Sequence, residues 1–223
     1  MKKYIVVLAV FVSVSWIGAA QQTKGQAVHK PAVQFEGVID FFQTNGIDTS
    51  IYAYYIKGNK VKLDNFDPST KNTEGAFLVD IGVKKMTTIS PVRKIYFDQA
   101  SGAPVKPSGV VNVVKTGKKQ VLSGYTCWEY VATDEAEGIR IHYWLASGHF
   151  NFFINTLQIL NRKDKSSEYF LQIPHTEGMF PMLSIEEDMK GNKKNELKVT
   201  KVERKELKDD TFAIPFGYKE FKK

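Results

Sequence analysis

The sequence predicts a mainly β protein of the α+β class, an antiparallel sheet with one or a few covering helices. Three observations predict it. Apolar and polar residues alternate with a period of two through most of the chain, and glycine and asparagine recur where hairpins would turn. Only one stretch repeats its apolar residues at three- and four-residue steps.

The elements follow in order. Lys2 and Lys3 precede an apolar stretch, Tyr4 to Ile17, that is too short to span a bilayer permanently; Gly18, Ala19 and Ala20 are the small residues a signal peptidase needs. Residues 1–20 are therefore expected to be a signal peptide, 21–31 a polar, flexible lead-in, and 32–223 a single domain. The lone cysteine, Cys127, lies far from the cleavage point, so processing leaves no thiol at the new N-terminus to carry a lipid. The expectation is an exported protein, periplasmic or secreted, without a lipid anchor and with no transmembrane segment in the mature chain.

The fold starts near Val33. Phe35, Gly37, Ile39 and Phe41 alternate with Glu36 and Asp40, and a tyrosine-rich strand runs from Ile51 to Ile56. Lys57-Gly58-Asn59 reads as a hairpin turn into Val61 and Leu63, and Lys190-Gly191-Asn192 repeats the device. Ala76–Ile81 and Lys94–Phe97 are further strands, and Ser101–Gly109, with two prolines and two glycines, is a loop. A second block holds Leu122–Ala132, a turn around Asp134 to Gly138, and a strand on which Ile139, Ile141, Tyr143 and Leu145 face one way and Arg140 and His142 the other.

The helix is expected over Gly148–Leu160, from Phe150, Phe153, Ile154, Leu157 and Leu160, with Ser147 capping its start and Asn161 its end. Phe152 and Ile159 lie off that stripe, so the helix is apolar around more than half its circumference. Strands at Met182–Glu187 and Glu196–Val202 follow, and the chain closes on Phe212–Tyr218. In Ile51–Ile56 both parities are apolar or aromatic, so both faces need cover. A strongly curved sheet around a cavity provides that cover. So does a plain sheet with a helix on one side and long loops on the other.

Losing Lys2 and Lys3 takes two of the 31 basic residues against 24 acidic ones, so the formal net charge falls from +7 to +5. Much of the excess follows Lys190, where Lys193, Lys194, Lys198, Lys201, Arg204, Lys205 and Lys208 alternate with Glu196, Glu203 and Glu206. That pattern reads as a solvated strand face, or as a patch for an anionic envelope component. An exported chain without a basic and aromatic binding motif argues against nucleic acid. One cysteine makes no internal disulfide, and Cys127, in an alternating run, reads as a small core residue.

Catalytic signatures are lacking in the sequence. There is no Gly-x-Ser-x-Gly, and Ser123, before Gly124, reads as part of a strand approach. His29, His142, His149 and His175 are scattered, with no His-Glu-x-x-His and no cysteine cluster for zinc, so no metal or other cofactor is expected. His142 reads as a surface residue, and Glu186-Glu187-Asp188 as a solvated acidic run. Aromatic residues crowd the stretch from Tyr125 to Phe153, most as core. The residues expected to line a pocket for an acyl chain or similar ligand are Tyr55, Trp128, Trp144, Phe152 and Phe153.

Leu122-Ser123-Gly124-Tyr125-Thr126-Cys127-Trp128-Glu129-Tyr130, then Tyr143-Trp144-Leu145, then Phe212-Ala213-Ile214-Pro215-Phe216-Gly217-Tyr218, resemble an exported bacterial family known as domain of unknown function 4412. Tyr54 to Val61 is similar to its second hairpin. The likeness covers most of the mature chain. The resemblance implies a fold similar to the lipoprotein-sorting proteins LolA and LolB: a strongly curved antiparallel sheet, or half-barrel, with helices closing its mouth over an apolar cavity. It implies no active site, and it makes the predicted helix a candidate lid. The expected function is a soluble periplasmic, non-catalytic binding or carrier protein for a hydrophobic ligand, with a lipid or lipidated protein as partner. The alternatives are an envelope structural or interaction module without a small ligand, and a hydrolase whose acidic residues meet only in the fold.

Overall fold

The computed structural model describes residues 33–99 and 109–222, and Ala32–Lys223 forms one compact unit. The expected signal peptide and lead-in, and the expected 101–109 loop apart from Gly109, lie outside the described residues. The strands are β1 (Gly37–Asn45), β2 (Asp48–Lys57), β3 (Lys60–Phe66), β4 (Thr73–Asp80), β5 (Lys85–Ser90), β6 (Ile95–Gln99), β7 (Asn112–Leu122), β8 (Tyr125–Asp134), β9 (Ile139–Ser147), β10 (Met179–Asp188), β11 (Lys193–Arg204) and β12 (Lys219–Glu220). The helices are α1 (Phe152–Leu160) and α2 (Lys165–Phe170), with a 3₁₀ turn at Asp209–Phe212.

Among the described residues, twelve strands make one open sheet in the order β12-β6-β5-β4-β3-β2-β1-β11-β10-β9-β8-β7. Every pairing is antiparallel except that of β12 with β6. Register shifts at Asp40/Phe41, Asn65/Phe66, Lys115/Lys119 and Pro181/Leu183 add local twist, and the sheet curls. Ser123, at the tip of the β7–β8 hairpin, donates from Oγ to the Val199 carbonyl on β11 at 3.2 Å. In a flat sheet β8 and β11 stand about 14 Å apart. Curvature closes that gap.

Residues paired across strands share a face, so the inner face reads directly from the register. One row runs Tyr52–Asn65–Gly75, the next Tyr54–Leu63–Phe77–Thr88, and the next Ile56–Val61–Val79–Met86. Ile39 and Phe41 continue this face on β1. Most of these apolar side chains join one core with Phe150, α1 and Phe180. Phe180 has its ring centroid 4.5 Å from that of Phe153, 5.5 Å from Phe150 and 5.9 Å from Phe152.

The opposite face of the same strands has its own cover. Val38, Ala53 and Leu207 form a second buried cluster, with Tyr55, Phe66 and Phe212 packed against it. The C-terminal segment therefore crosses the outer face as a strap: Lys57 Nζ donates to the Leu207 carbonyl at 2.7 Å, and β12 joins β6. The two-sided apolar pattern of Ile51–Ile56 is thus satisfied by the helical core within and by the strap of residues 207–212 without.

Several local expectations change. The helix begins at Phe152 rather than Gly148, because β9 continues through Ser147 and Asn151 takes the N-cap position. Ser147 caps nothing there; Asn161 does close the helix, in a left-handed conformation. Phe152 and Ile159, off the expected stripe, are buried, Phe152 among the rings of Phe35, Tyr54 and Phe180. Ser123 and Gly124 both have positive φ and are the two turn residues of the β7–β8 hairpin, not a strand approach. β5 gives no strand signal in the sequence because its threonines fall on both parities, and most of β7 gives none because its lysines and its Lys115–Lys119 bulge erase the alternation.

Candidate functional site

A cavity of about 470 Å³ lies between the inner face of β2–β5 and the C-terminal end of α1. Tyr52, Leu63, Phe77 and Met86 line it from the sheet, and Leu160 from the helix. Its size falls in the range of small-molecule sites, and its apolar lining with a few polar groups fits them too. A glycine, Gly75, stands in the lining. A Cβ built on Gly75 would meet only the Ile89 carbonyl, at 3.9 Å, so a side chain here would project into open volume. Tyr52 is held by stacking on Phe41, with ring centroids 5.1 Å apart and planes 16° apart.

Polar groups enter at defined points. Arg162, just beyond the Asn161 cap, lines the cavity, and its Nε lies 2.8 Å from Asp164 Oδ2. Burial opposes the Arg162 charge, but Asp164 and the neighbouring tyrosines outweigh it and hold its pKa above the ordinary value. Asp164 in turn caps α2, accepting from the Ser167 backbone N–H at 2.9 Å and from Ser167 Oγ at 3.0 Å. The guanidinium is therefore fixed by the start of the next helix. Glu74, Asn65, Thr88 and Gln99 complete the polar lining, and Asn65 Nδ2 donates to Glu74 Oε2 at 3.4 Å.

Arg162 also borders a narrow hollow of about 40 Å³ between Phe41, Tyr54, Phe153 and Tyr143, where burial pushes the Tyr54 hydroxyl up to about 12. A third, polar hollow of about 220 Å³ adjoins it through Gln43, Asp164, Ser166 and Ser184. The apolar end of this series lies toward β5 and the polar end toward β10.

The five residues expected to line a pocket are not brought together. Phe153 borders the narrow hollow, and Phe152 is packed among Tyr54, Phe35 and Phe180 in the core. Tyr55 faces outward in the cluster under the strap, with Lys62 Nζ 5.3 Å from its ring centroid. Trp128 is 39% exposed, with Lys115 and Lys119 over its ring. Trp144 lies directly opposite Glu129 and Leu183, on the face away from Tyr143. The residues that do line the large cavity are partly legible in the sequence: Tyr52 and Leu63 fall on predicted strands, whereas Met86 and Thr88 lie on β5, whose pattern does not announce a strand.

The remaining chemical candidates among the described residues lie outside the lining of the large cavity. His142 bridges Glu129 Oε1, 3.0 Å from Nδ1, and Glu187 Oε1, 3.4 Å from Nε2. Burial works to raise the pKa of Glu129, but hydrogen bonds from Thr116, His142 and Lys118 overcome it and lower the value. His149 and His175 have left-handed backbone conformations, and His29 lies outside the described residues. Asp188 closes the β10–β11 turn, accepting from the backbone of Lys190 and Asn192. Among the described residues no group of three or more His, Cys, Asp or Glu converges to hold a metal, and no helix is long and apolar enough to cross a membrane.

A single open, mostly antiparallel sheet, curled round a helix with an apolar cavity between them, defines the class: a half-barrel with helical cover. The chain belongs to the family described as domain of unknown function (DUF4412), whose model matches residues 35–218. Among solved structures it is similar to an uncharacterized conserved protein from Thermus thermophilus, with a TM-score of 0.50, 10% identity, and coverage of 82% of this chain and 88% of that one. It is also similar to the MucA/MucB complex of Pseudomonas aeruginosa (TM-score 0.47, 10% identity, 79% of this chain and 54% of that one). A putative outer membrane lipoprotein-sorting protein domain from Vibrio parahaemolyticus is a further neighbour (TM-score 0.31, 13% identity, 79% and 87%). No curated protein matches the sequence.

Proposed function

We propose that the protein is an exported, non-catalytic binding or carrier protein that holds a hydrophobic, acyl- or lipid-like ligand in the cavity beneath α1. The observation that carries this reading is the cavity of about 470 Å³, with an apolar lining on the inner face and free space beside Gly75. Export to the periplasm rests on the basic and apolar pattern of residues 1–20 and on a sequence whose lone cysteine is an internal strand residue. A freely diffusing half-barrel is suited to accept an amphiphile at one envelope site and release it at another, with a lipid or lipidated protein as cargo.

The alternative of an interaction module docking through its basic C-terminal third draws less support. Lys193 pairs with Glu196, Lys194 with Asp188, and Lys201 and Lys205 both with Glu203, so much of that charge is compensated within the face itself. Native mass spectrometry of protein purified from the periplasm, with extracted lipids identified, tests the carrier reading. A bound amphiphile of defined mass is expected; consistently empty protein whose melting temperature ignores added amphiphiles would overturn it.

A further inference from the structure

Arg162 borders both the large apolar cavity and the narrow hollow beside Phe153. The chain places it there because α1 closes at the left-handed Asn161, one residue earlier, and α2 starts from its cap at Asp164, two residues later. Asp164 takes only one side of the guanidinium: its Oδ2 lies 2.8 Å from Nε, and the same carboxylate accepts from the Ser167 backbone and hydroxyl. Among the described residues no protein group accepts from Nη1 or Nη2. The side chain is 34% exposed, and neither nitrogen is sealed from solvent. These donors are open to a molecule that enters from outside.

An open guanidinium at the edge of an apolar cavity selects among amphiphiles. A neutral chain that settles against it strips water from the charge and returns nothing, whereas a carboxylate or phosphate oxygen replaces that water with charge-assisted hydrogen bonds. The planar fork of arginine matches both groups, and the Asp164 contact holds the fork in place before a ligand arrives. The neighbouring acids limit where an anion can sit. Glu186 and Glu196 line the polar hollow toward β10, and Glu74 in the large cavity accepts from Asn65 Nδ2, so the favourable position is at Arg162 and not beside those carboxylates. Resting on the carrier reading above, we infer that the ligand is an anionic amphiphile, with a carboxylate or phosphate head that accepts from Nη1 and Nη2 of Arg162 and a chain that lies against Tyr52, Leu63, Phe77 and Met86.

The test titrates dodecanoate, methyl dodecanoate and dodecyl phosphate calorimetrically, below the concentrations at which they self-associate, into the full mature protein and into its Arg162→Gln and Arg162→Lys variants. Wild type is expected to bind dodecanoate about tenfold or more tightly than the ester, which keeps the chain and loses the charge. In Arg162→Gln that ratio should fall to within about twofold, and Arg162→Lys, which keeps the cation, should hold it above the glutamine variant. A residue that only braces α2 through Asp164 would change the melting temperature without changing the ratio. Dodecyl phosphate separates the sources of the head: phosphate bound more tightly than carboxylate points to a phospholipid, and the reverse to a free fatty acid. The wild-type comparison decides the charge preference even where a variant fails to fold. Equal binding of dodecanoate and ester by wild-type protein, or a ratio that survives in a folded Arg162→Gln variant, overturns this inference and leaves the carrier reading standing. Binding of none of the three probes overturns both.

Discussion

Replacing Gly75 by leucine separates the cavity from the fold. Glycine in a strand interior costs about 0.5–1 kcal/mol relative to alanine, and the added Cβ meets only the Ile89 carbonyl at 3.9 Å, an ordinary contact. The three further carbons enter a cavity lined by Leu63 and Phe77, at about 0.8 kcal/mol for each carbon fully buried. Partial burial and the ordering of the side chain reduce that sum, so Gly75→Leu should stabilise the empty protein by about 1–2 kcal/mol. For a domain of this size that corresponds to a rise in melting temperature of roughly 2–8 °C. The same side chain occupies the ligand's space. Displacement of a fluorescent naphthylamine dye by a long-chain amphiphile should require at least about tenfold more amphiphile than in wild type. Calorimetry and the dye assay on one preparation read both effects. A fall in melting temperature, or unchanged amphiphile affinity, would refute the placement of the binding volume beside Gly75.

Other perturbations address the core, the turns and the thiol. Phe180 is 1% exposed and touches four other rings beside the helix, so Phe180→Ala should cost about 3–5 kcal/mol in urea unfolding; a loss below about 1 kcal/mol contradicts its place in the core. Phe152→Asp should abolish cooperative unfolding, because it buries a carboxylate among Phe35, Tyr54 and Phe180, whereas Trp128→Asp, at a partly exposed side chain under Lys115 and Lys119, should lower the melting temperature far less. Cys127 is fully buried, and burial pushes its thiol up to about 11, so an aromatic disulfide reagent should react with it only in denaturant; rapid native labelling would place it elsewhere. Asp188 is held down at about 2 by hydrogen bonds from Asn192 and the Lys190 backbone. Its folded pKa lies below its unfolded value of about 3.9, so its contribution is present above about pH 4 and is lost as the pH falls toward 2. Urea midpoints measured across that window should fall less steeply for Asp188→Asn than for wild type.

The local pattern carried much of the architecture. Alternation placed β1, β8 and β9 because a half-buried strand must sort its residues by parity, and in β2 the doubly apolar Ile51–Ile56 announced cover on both faces. Where alternation failed, so did the reading. β5 carries Thr87 and Thr88 on opposite faces, and β7 is an edge strand whose lysines are compatible with solvent on either side. The six residues of α2 are too few to show a period; the sign of it was Asp164, whose carboxylate caps the turn through Ser167.

The candidate site was less legible, for a different reason. Aromatic residues attract attention as pocket linings, yet Phe152 fills space, Trp128 lies beneath lysines and Tyr55 lies under the C-terminal strap. The cavity is bordered by a residue that leaves room, Gly75, and by the end of α1 at Leu160 and Arg162.

The sequence by itself determined a mainly β chain with one clear helix, a lone internal cysteine, a basic and apolar pattern at its start and a strand that needs two covers, because each of these is a property of neighbouring residues. Only the tertiary structure decided which face curls inward, that the C-terminal segment supplies the outer cover, and that the end of α1 passes over β2–β5 with a cavity beneath it. Those facts depend on the pairing of strands far apart in the chain and on volume left unfilled, and an unfilled volume has no residue of its own to mark it.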